Sequence, residues 1–272
     1  AGEGPAASDF AFEASKRALE AAGIAPSDID YILFSTMTPD YIFPGSGAVL
    51  GAKLGIPGVP ALDIRQQCAA MIFSLQLVDG LIRGGNAKTI LVVGAEAHAG
   101  FMPWDDWDIV DGTSDREATP EAKAKNNEHR ALAVLFGDGA GAMIFRATDR
   151  DAGLVASQVH TDGRYAKALY VEGGGFRTRP YWKASHWDEG AHIPKMDGRE
   201  LFKFAVTKLP ETARALCKET NTPLEKIDWF LAHQANMRIN KYVREQLGVP
   251  EEKMPMNIDR FGNTSAGTIP IL

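Results

Sequence analysis

The feature that most constrains this chain is a set of short runs that are apolar without alternating. Thr89–Gly94 (TILVVG) and Ile29–Ser35 (IDYILFS) are the clearest. A strand that is apolar throughout is buried on both faces, which requires layers above and below its sheet. Val59–Ile64 reads as a further strand, leading to Cys68. Helical stretches alternate with these strands. Ser8 is the expected N-cap of a helix through Ala22, with Phe10, Ala14, Ala18 and Ala21 on its apolar face and Gly23 stopping it. Ala48–Leu54 and Ala69–Arg83 follow as helices, the last closed by Gly84-Gly85. This alternation implies an α/β protein with buried sheets.

The alternation continues along the chain. Ala131–Phe145 (ALAVLFGDGAGAMIF) reads as two strand-like halves around a glycine-rich centre, and Leu154–His160 as another strand. Gly198–Glu219 is a long amphipathic helix, Trp229–Ala232 a strand, and Asn236–Leu247 a helix ended by Gly248. Residues 101–129 interrupt the rhythm with Trp104, Trp107, aspartates and the charged EAKAKNNEHR, and are expected to form an inserted surface excursion. Residues 161–196 show no clear period. A faint echo links the halves: a strand delivers Cys68 to a helix, and a second strand delivers His233 to another. The expected division is 1–150 and 151–272.

The composition excludes several classes. Hydrophobic residues make up 45% of the 272 and charged residues 24%, an ordinary globular balance. A net charge of −6 supplies no general attraction to nucleic acid or an anionic membrane. No apolar run approaches the roughly 20 residues of a membrane helix, and no signal peptide is seen. With only 2 cysteines, Cys68 and Cys217, and no CxxC pair, nothing suggests a disulfide framework or a thiolate zinc site. Together these point to the cytoplasm. His98, His129, His160, His186 and His192 lack the two-histidine helical spacing of a metal site, so no metal is expected. Gly137–Gly141 is followed by no Lys-Ser/Thr and is not a phosphate loop. Glu96 and Asp138 stand alone and read as structural, as does Cys217 within a helix. The chain opens almost directly on a helix and stops after a turn at Gly262–Leu272, so both ends are expected to be incomplete.

Cys68 sits where a strand meets a helix, in IRQQCAAMIFSLQ. Free N–H groups and the helix dipole at such a point favour a thiolate and should lower the cysteine pKa. The same groups can donate to an oxyanion on an acyl carbon held by the sulfur. Taken alone, a single cysteine is more often a small core side chain. His233 in LAHQANMRI is as well explained by structure as by catalysis, and Asn263 in FGNTSAG sits in a turn that needs no catalytic reason.

Taken together, the Cys68 segment, HQAN at 233–236, GNTSA at 262–266 and FGDGAGA at 136–142 resemble 3-oxoacyl-acyl-carrier-protein synthase III, of the thiolase superfamily. The resemblance runs from about Phe10 to the end and is interrupted at about 97–129 and 170–195. It implies a five-layer αβαβα thiolase-like fold of two similar halves, a homodimer, and a Cys68, His233 and Asn263 triad. By position it places Phe43 at the partner's acyl pocket and Arg130 at the entrance for the CoA nucleotide. Gly198, Phe202, Ala235 and Asn236 fall along the pantetheine tunnel, with Arg238 at its mouth. Arg238, Lys241 and Arg244, spaced by three on one helix, form a basic spot suited to an acidic acyl carrier protein; in isolation they are an ordinary solvated face.

The implied reaction is decarboxylative condensation of an acyl-CoA primer with malonyl-ACP through an acyl-Cys68 intermediate, with no cofactor beyond the coenzyme A thioester itself. Phe101, Met102, Trp104 and Trp107 are candidates to line or cover an acyl channel, against a surface or dimer-contact loop. Other readings are a natural-product acyltransferase without decarboxylation, head-to-head acyl condensation, and a non-catalytic paralogue that binds acyl carrier protein. Phe43 stands where head-to-head enzymes place a glutamate base, and an intact Cys68 argues against the paralogue.

Overall fold

The computed structural model describes residues 4–272. In chain order its elements are α1 (Ala7–Ala22), β1 (Tyr31–Ser35), α2 (Ser46–Lys53), β2 (Ala61–Ile64), α3 (Ala70–Arg83), β3 (Thr89–Glu96), α4 (Trp107–Val110), α5 (Pro120–Ala133) and β4 (Gly139–Arg146). The second half adds β5 (Leu169–Tyr170), α6 (Ser185–Asp188), β6 (Lys195–Met196), α7 (Gly198–Glu219), α8 (Met237–Leu247), α9 (Ile258–Phe261) and α10 (Thr268–Ile271).

Four strands form one sheet in the order β2-β1-β3-β4. β1 runs parallel to β2 and β3, and β4 closes the edge antiparallel to β3. The apolar runs are explained by the two-residue period of a strand, which sends successive side chains to opposite faces. Ile32 and Phe34 of β1, with Leu91 and Val93 of β3, pack with Leu19 of α1 and Leu50 of α2. Their neighbours Leu33, Ile90 and Val92 face the other way, onto Met71 and Val78 of α3 and Ala266. Every residue of β3 is buried. Helices therefore cover both faces, as the runs require.

Several expectations shift. Helix α1 starts at Ala7 with Ala6 as N-cap, and the Asp9 carboxylate accepts the Ala6 N–H at 2.9 Å. Ser8 is not the cap; it is buried inside the first turn, where its hydroxyl donates to Asp40. The buried stripe is Ala7, Ala11, Ser15 and Leu19, while Ala21 is exposed. Ser15 tolerates burial because its hydroxyl donates to the Ala11 carbonyl at 2.7 Å. The excursion at 101–129 contains a real helix, α5. Pro120 opens it, and the Thr119 side chain caps it by accepting the Ala122 N–H. It runs on through Ala131–Ala133, so the first half of ALAVLFGDGAGAMIF is helix end and loop, and only the second half is strand.

Neither Leu154–His160 nor Trp229–Ala232 forms a strand. Apolar side chains supply burial, but a strand also needs a neighbour for its N–H and C=O groups. Among the described residues the second half offers only the two-stranded β5–β6 pair as a sheet. Its packing centres instead on α7 and α8, where Ile239, Val243, Leu247 and Met254 meet Phe202, Val206 and Ala213. Among the described residues no helix is long and apolar enough to cross a membrane.

Candidate active site

Cys68 lies in a tight turn, Gln67–Ala69, between β2 and α3. Gln67 holds φ at 46°, a left-handed conformation costly for a side chain with a Cβ, which turns the chain sharply before the helix. The thiol is half-buried and donates to Ser265 Oγ at 3.6 Å. Burial pushes its pKa up, and the nearby Glu96 charge adds to this. Hydrogen bonds from Ser265, Asn263 and the Cys68 backbone oppose the shift without reversing it. The expectation that the helix start alone lowers this pKa is therefore corrected: loss of water outweighs the donors.

The turn from Asn263 to Thr268 lies beside the thiol. It is seated on the glycine-rich strand entry. The Asn263 N–H donates to the Leu135 carbonyl at 2.8 Å, and the Gly137 N–H to the Asn263 carbonyl at 3.1 Å. Close approach explains the glycines. A Cβ on Gly137 would sit 2.0 Å from the Phe261 carbonyl oxygen, and one on Gly94 would sit 2.2 Å from that of Ala266. In the sheet Gly94 pairs with Gly141, where a Cβ would meet Pro270 at 2.8 Å. FGDGAGA is thus the floor on which the turn rests.

Asn263 is buried, and its Oδ1 accepts the Ser265 N–H at 2.8 Å. That fixes the amide, so its NH2 group is directed to the thiol side. His233 reaches the same turn. Its Nδ1 is 2.6 Å from Thr268 Oγ1, which also lies 3.0 Å from the Ser265 carbonyl. Burial lowers the His233 pKa to about 4, so the ring is neutral near pH 7. Its Nε2 is buried with no protein partner. The Ser265 carbonyl can only accept, so the Thr268 hydroxyl donates to it and the resting ring carries its proton on Nδ1; turning the Thr268 proton to Nδ1 gives up that bond, moves the N–H to Nε2 and makes Nε2 a donor. Gln234 braces this segment: its Nε2 donates to the Ala232 carbonyl at 2.9 Å, and its Oε1 accepts the Asn257 N–H at 3.3 Å.

Two further groups surround the thiol. His98 is 2% exposed and stacks on Phe136 at 5.0 Å between ring centroids. Its Nδ1 is 2.9 Å from the Gly137 carbonyl and its Nε2 is 3.2 Å from Ser265 Oγ. Glu96, fully buried at the end of β3, accepts from the Thr38 hydroxyl at 2.7 Å and the Met37 N–H at 3.1 Å. Desolvation raises its pKa to about 7 despite these donors. No motif or spacing groups His98, Glu96, Ser265 or Thr268 with Cys68. The only local cue was that Ser265 lies inside GNTSA.

The other expected residues are more dispersed. Phe43 is 80% exposed on the loop before α2, beside exposed Tyr41 and Ile42. Arg130 is exposed near the end of α5, and Gly198 opens α7. Phe202 packs its ring against Tyr242 of α8, and Ala235 joins the same cluster. Asn236 is the N-cap of α8, its side chain accepting the Arg238 N–H at 2.9 Å. Arg238 and Lys241 are exposed, whereas Arg244 is partly buried and paired with Glu251 at 2.7 Å. The three cations therefore do not act as one free spot. Trp104 and Trp107 meet edge to face at 5.5 Å. With Met102, Trp187, Phe136 and His98 they line a cavity of about 1810 Å³. Phe101 is not in its wall. Among the described residues no group of three or more His, Cys, Asp or Glu is arranged to hold a metal ion.

Comparison with known proteins identifies the family. Residues 62–114 and 118–163 match the 3-oxoacyl-[acyl-carrier-protein] synthase III family, and residues 217–272 match its C-terminal domain. A beta-ketoacyl-[acyl-carrier-protein] synthase III of Rhizorhabdus wittichii is 37% identical over 272 residues, 100% of this chain and 75% of that protein. The crystal structure of the synthase III from Thermus thermophilus matches with a TM-score of 0.80 and 33% identity, over 100% of this chain and 75% of that one. The Aquifex aeolicus synthase III gives 0.80 and 31%, over 99% and 74%. The fold is the α/β thiolase-like fold of these enzymes. The chain belongs to the 3-oxoacyl-acyl-carrier-protein synthase III family.

Proposed function

We propose that the chain joins an acyl group from acyl-CoA to malonyl-ACP, with loss of carbon dioxide, to give a 3-oxoacyl-ACP. One observation carries the assignment of roles. Cys68, Asn263 and His233 all attach to one short turn: the thiol through Ser265 Oγ, the asparagine through the Ser265 N–H, and the histidine through Thr268. In this reading residues 1–150 present the nucleophile and residues 151–272 present the donors, as two halves of one active site.

The Cys68 sulfur attacks the acyl thioester and CoA leaves as its thiol. The Cys68 N–H faces the resulting oxyanion. Malonyl-ACP then places its thioester oxygen between the Asn263 NH2 and the His233 Nε2–H. Both donors are neutral and sheltered from water, and the Thr268 hydroxyl switches His233 to its Nε2–H form, which suits them to an enolate. Carbon dioxide leaves, the enolate carbon attacks the acyl carbonyl, and Cys68 departs as thiolate. The carbon–carboxylate bond supplies the electron pair, so the step as written uses no cofactor.

Arg238 and Lys241 offer the charge that would receive an acidic carrier protein near the site. Arg130, Gly198, Phe202, Ala235 and Asn236 are assigned to the CoA and pantetheine path, and Phe43 to the acyl pocket of a second copy in a homodimer. The cytoplasm is the compartment that fits these substrates.

The test is malonyl-ACP decarboxylation by Asn263→Ala and His233→Ala. Each loses one donor and should slow by about 10²–10³. Near wild-type rates in both variants overturn the assigned roles.

A further inference from the structure

Ser265 and His98 form a hydrogen-bonded chain leading away from the reacting sulfur; the Ser265 hydroxyl also lies 3.6 Å from Met37 Sδ, a far weaker acceptor than the His98 imidazole nitrogen at 3.2 Å. The Gly137 carbonyl can only accept, so His98 Nδ1, 2.9 Å away, carries a proton. In the neutral ring Nε2 is then the acceptor. It takes the Ser265 hydroxyl proton across 3.2 Å. The Ser265 oxygen is thereby free to accept the Cys68 S–H at 3.6 Å. Reversing the two outer protons gives an equally satisfied arrangement, with Nε2–H donating to Ser265, Ser265 donating to a Cys68 thiolate, and Nδ1–H still on Gly137.

We propose that Ser265 and His98 carry the proton of Cys68 during acylation, by a path separate from His233; this deepens the reading of Cys68 as the acyl-accepting nucleophile and rests on it. Ser265 touches the sulfur. His98 acts through Ser265, holding its hydroxyl in line and taking up the proton. As Cys68 attacks, its S–H bond breaks and the electron pair forms the S–C bond. The proton passes to Ser265 oxygen while the Ser265 proton passes to Nε2. When the tetrahedral adduct expels the CoA thiolate, Nε2 returns its proton to the Ser265 oxygen and the Ser265 hydroxyl gives its own proton to the departing CoA sulfur. His233 is then spared for the enolate, with its Nδ1 held by Thr268.

The surroundings make the proton's stay on His98 brief, since burial disfavours both the imidazolium and the thiolate. His98 lies at the wall of the large cavity, stacked on Phe136, and is nearly closed off from solvent. The ionisable groups facing the chain are Glu96 at the end of β3, Asp138 before β4, and His233. Burial lowers the His98 pKa, and the Gly137 carbonyl and the Asp138 charge oppose this without reversing it. A charged Glu96 disfavours a lone thiolate, and so favours one paired with His98. His233 stays neutral across the range of interest.

The experiment measures alkylation of Cys68 by iodoacetamide between about pH 5 and 10, in a Cys217→Ser background. Wild type is compared with His98→Leu and Ser265→Ala. Ser265→Ala keeps the backbone N–H that holds Asn263, and it decides the matter alone if His98→Leu does not fold. Both variants should react up to about tenfold more slowly at pH 7, with the midpoint of the pH profile moved upward by about one unit. Glu96 titrates in all three proteins and cancels in the comparison. A purely structural role would leave that midpoint unmoved. Variants alkylated within about twofold of wild type, with the same midpoint, overturn the proposal. Alkylation needs no substrate, so a wild-type protein that takes iodoacetamide but no acyl group refutes the functional reading and not the proton path.

Discussion

Replacing Gly94 by alanine adds one methyl group at the point where β3 meets the Asn263–Thr268 turn. The new Cβ would stand 2.2 Å from the Ala266 carbonyl oxygen and 2.5 Å from its carbon. Both are backbone atoms, so no side chain can swing aside. A comfortable carbon–oxygen contact requires the turn to retreat by about 1 Å, which is overpacking of the kind that costs about 1–3 kcal/mol. In a protein of this size that lowers Tm by roughly 2–10 °C. The functional loss is larger than the loss of stability. Ser265 and Asn263 move with Ala266, and a displacement of about 1 Å at a reacting group costs about 10² in rate. Gly80→Ala is the control. It lies in α3 with open space around its Cβ position, and should stabilise the helix by about 0.5–1 kcal/mol. Tm, acyl transfer to Cys68 and malonyl-ACP decarboxylation are measured for both variants. A folded Gly94→Ala with both rates within about twofold of wild type refutes the argument that these glycines set the geometry of the turn.

The buried His233 and Glu96 also predict an unusual acid profile. His233 falls from 6.5 to about 4 on folding, so its stabilising contribution is complete above about pH 6.5 and is lost as pH falls toward 4. Glu96 rises from 4.5 to about 7, so its contribution is complete below about pH 4.5 and is lost as pH rises toward 7. At about 1.4 kcal/mol per pH unit each is on the order of 3 kcal/mol, with opposite slopes over nearly the same window. Wild type should therefore show little pH dependence from this pair. Glu96→Gln should expose the His233 slope in urea melts, losing stability between about pH 6.5 and 4, and an unchanged slope refutes the pairing. Trp104→Ala and Trp107→Ala remove bulk from the cavity wall and should broaden the range of acyl-CoA chain lengths that load Cys68. An unchanged profile assigns these tryptophans a structural role only.

Much of the sheet was legible because β1 and β3 carry apolar residues on both faces, which only a two-sided burial explains. The apolar stripe of α1 was misplaced because alanine and serine hardly differ in size; Ser8 and Ser15 are buried through hydrogen bonds that hydrophobicity does not register. ALAVLF was read as a strand because a short apolar run is equally compatible with the end of a helix, and the capping by Thr119 and Pro120 lies far upstream. Cys68, His233 and Asn263 stand out through family motifs, not through local chemistry, and their roles are the proposal made above. His98 had no such signal. It is 167 residues from Ser265 in sequence, and only the glycine-permitted approach of the turn to β3 brings them together. The Cys68 pKa moves opposite to the sequence expectation for a related reason. The helix start is visible in sequence, whereas the desolvation that outweighs it comes from distant segments.

The central claim is that Cys68 carries the acyl group that malonyl-ACP then extends. Mass spectrometry of the intact protein and its peptides, after incubation with a panel of acyl-CoAs, tests it directly. The account predicts one acyl adduct on the Cys68 peptide, none on Cys217, and discharge on adding malonyl-ACP to give 3-oxoacyl-ACP and carbon dioxide. No adduct on Cys68 with any acyl-CoA, or discharge to an ester or amide without loss of carbon dioxide, contradicts it.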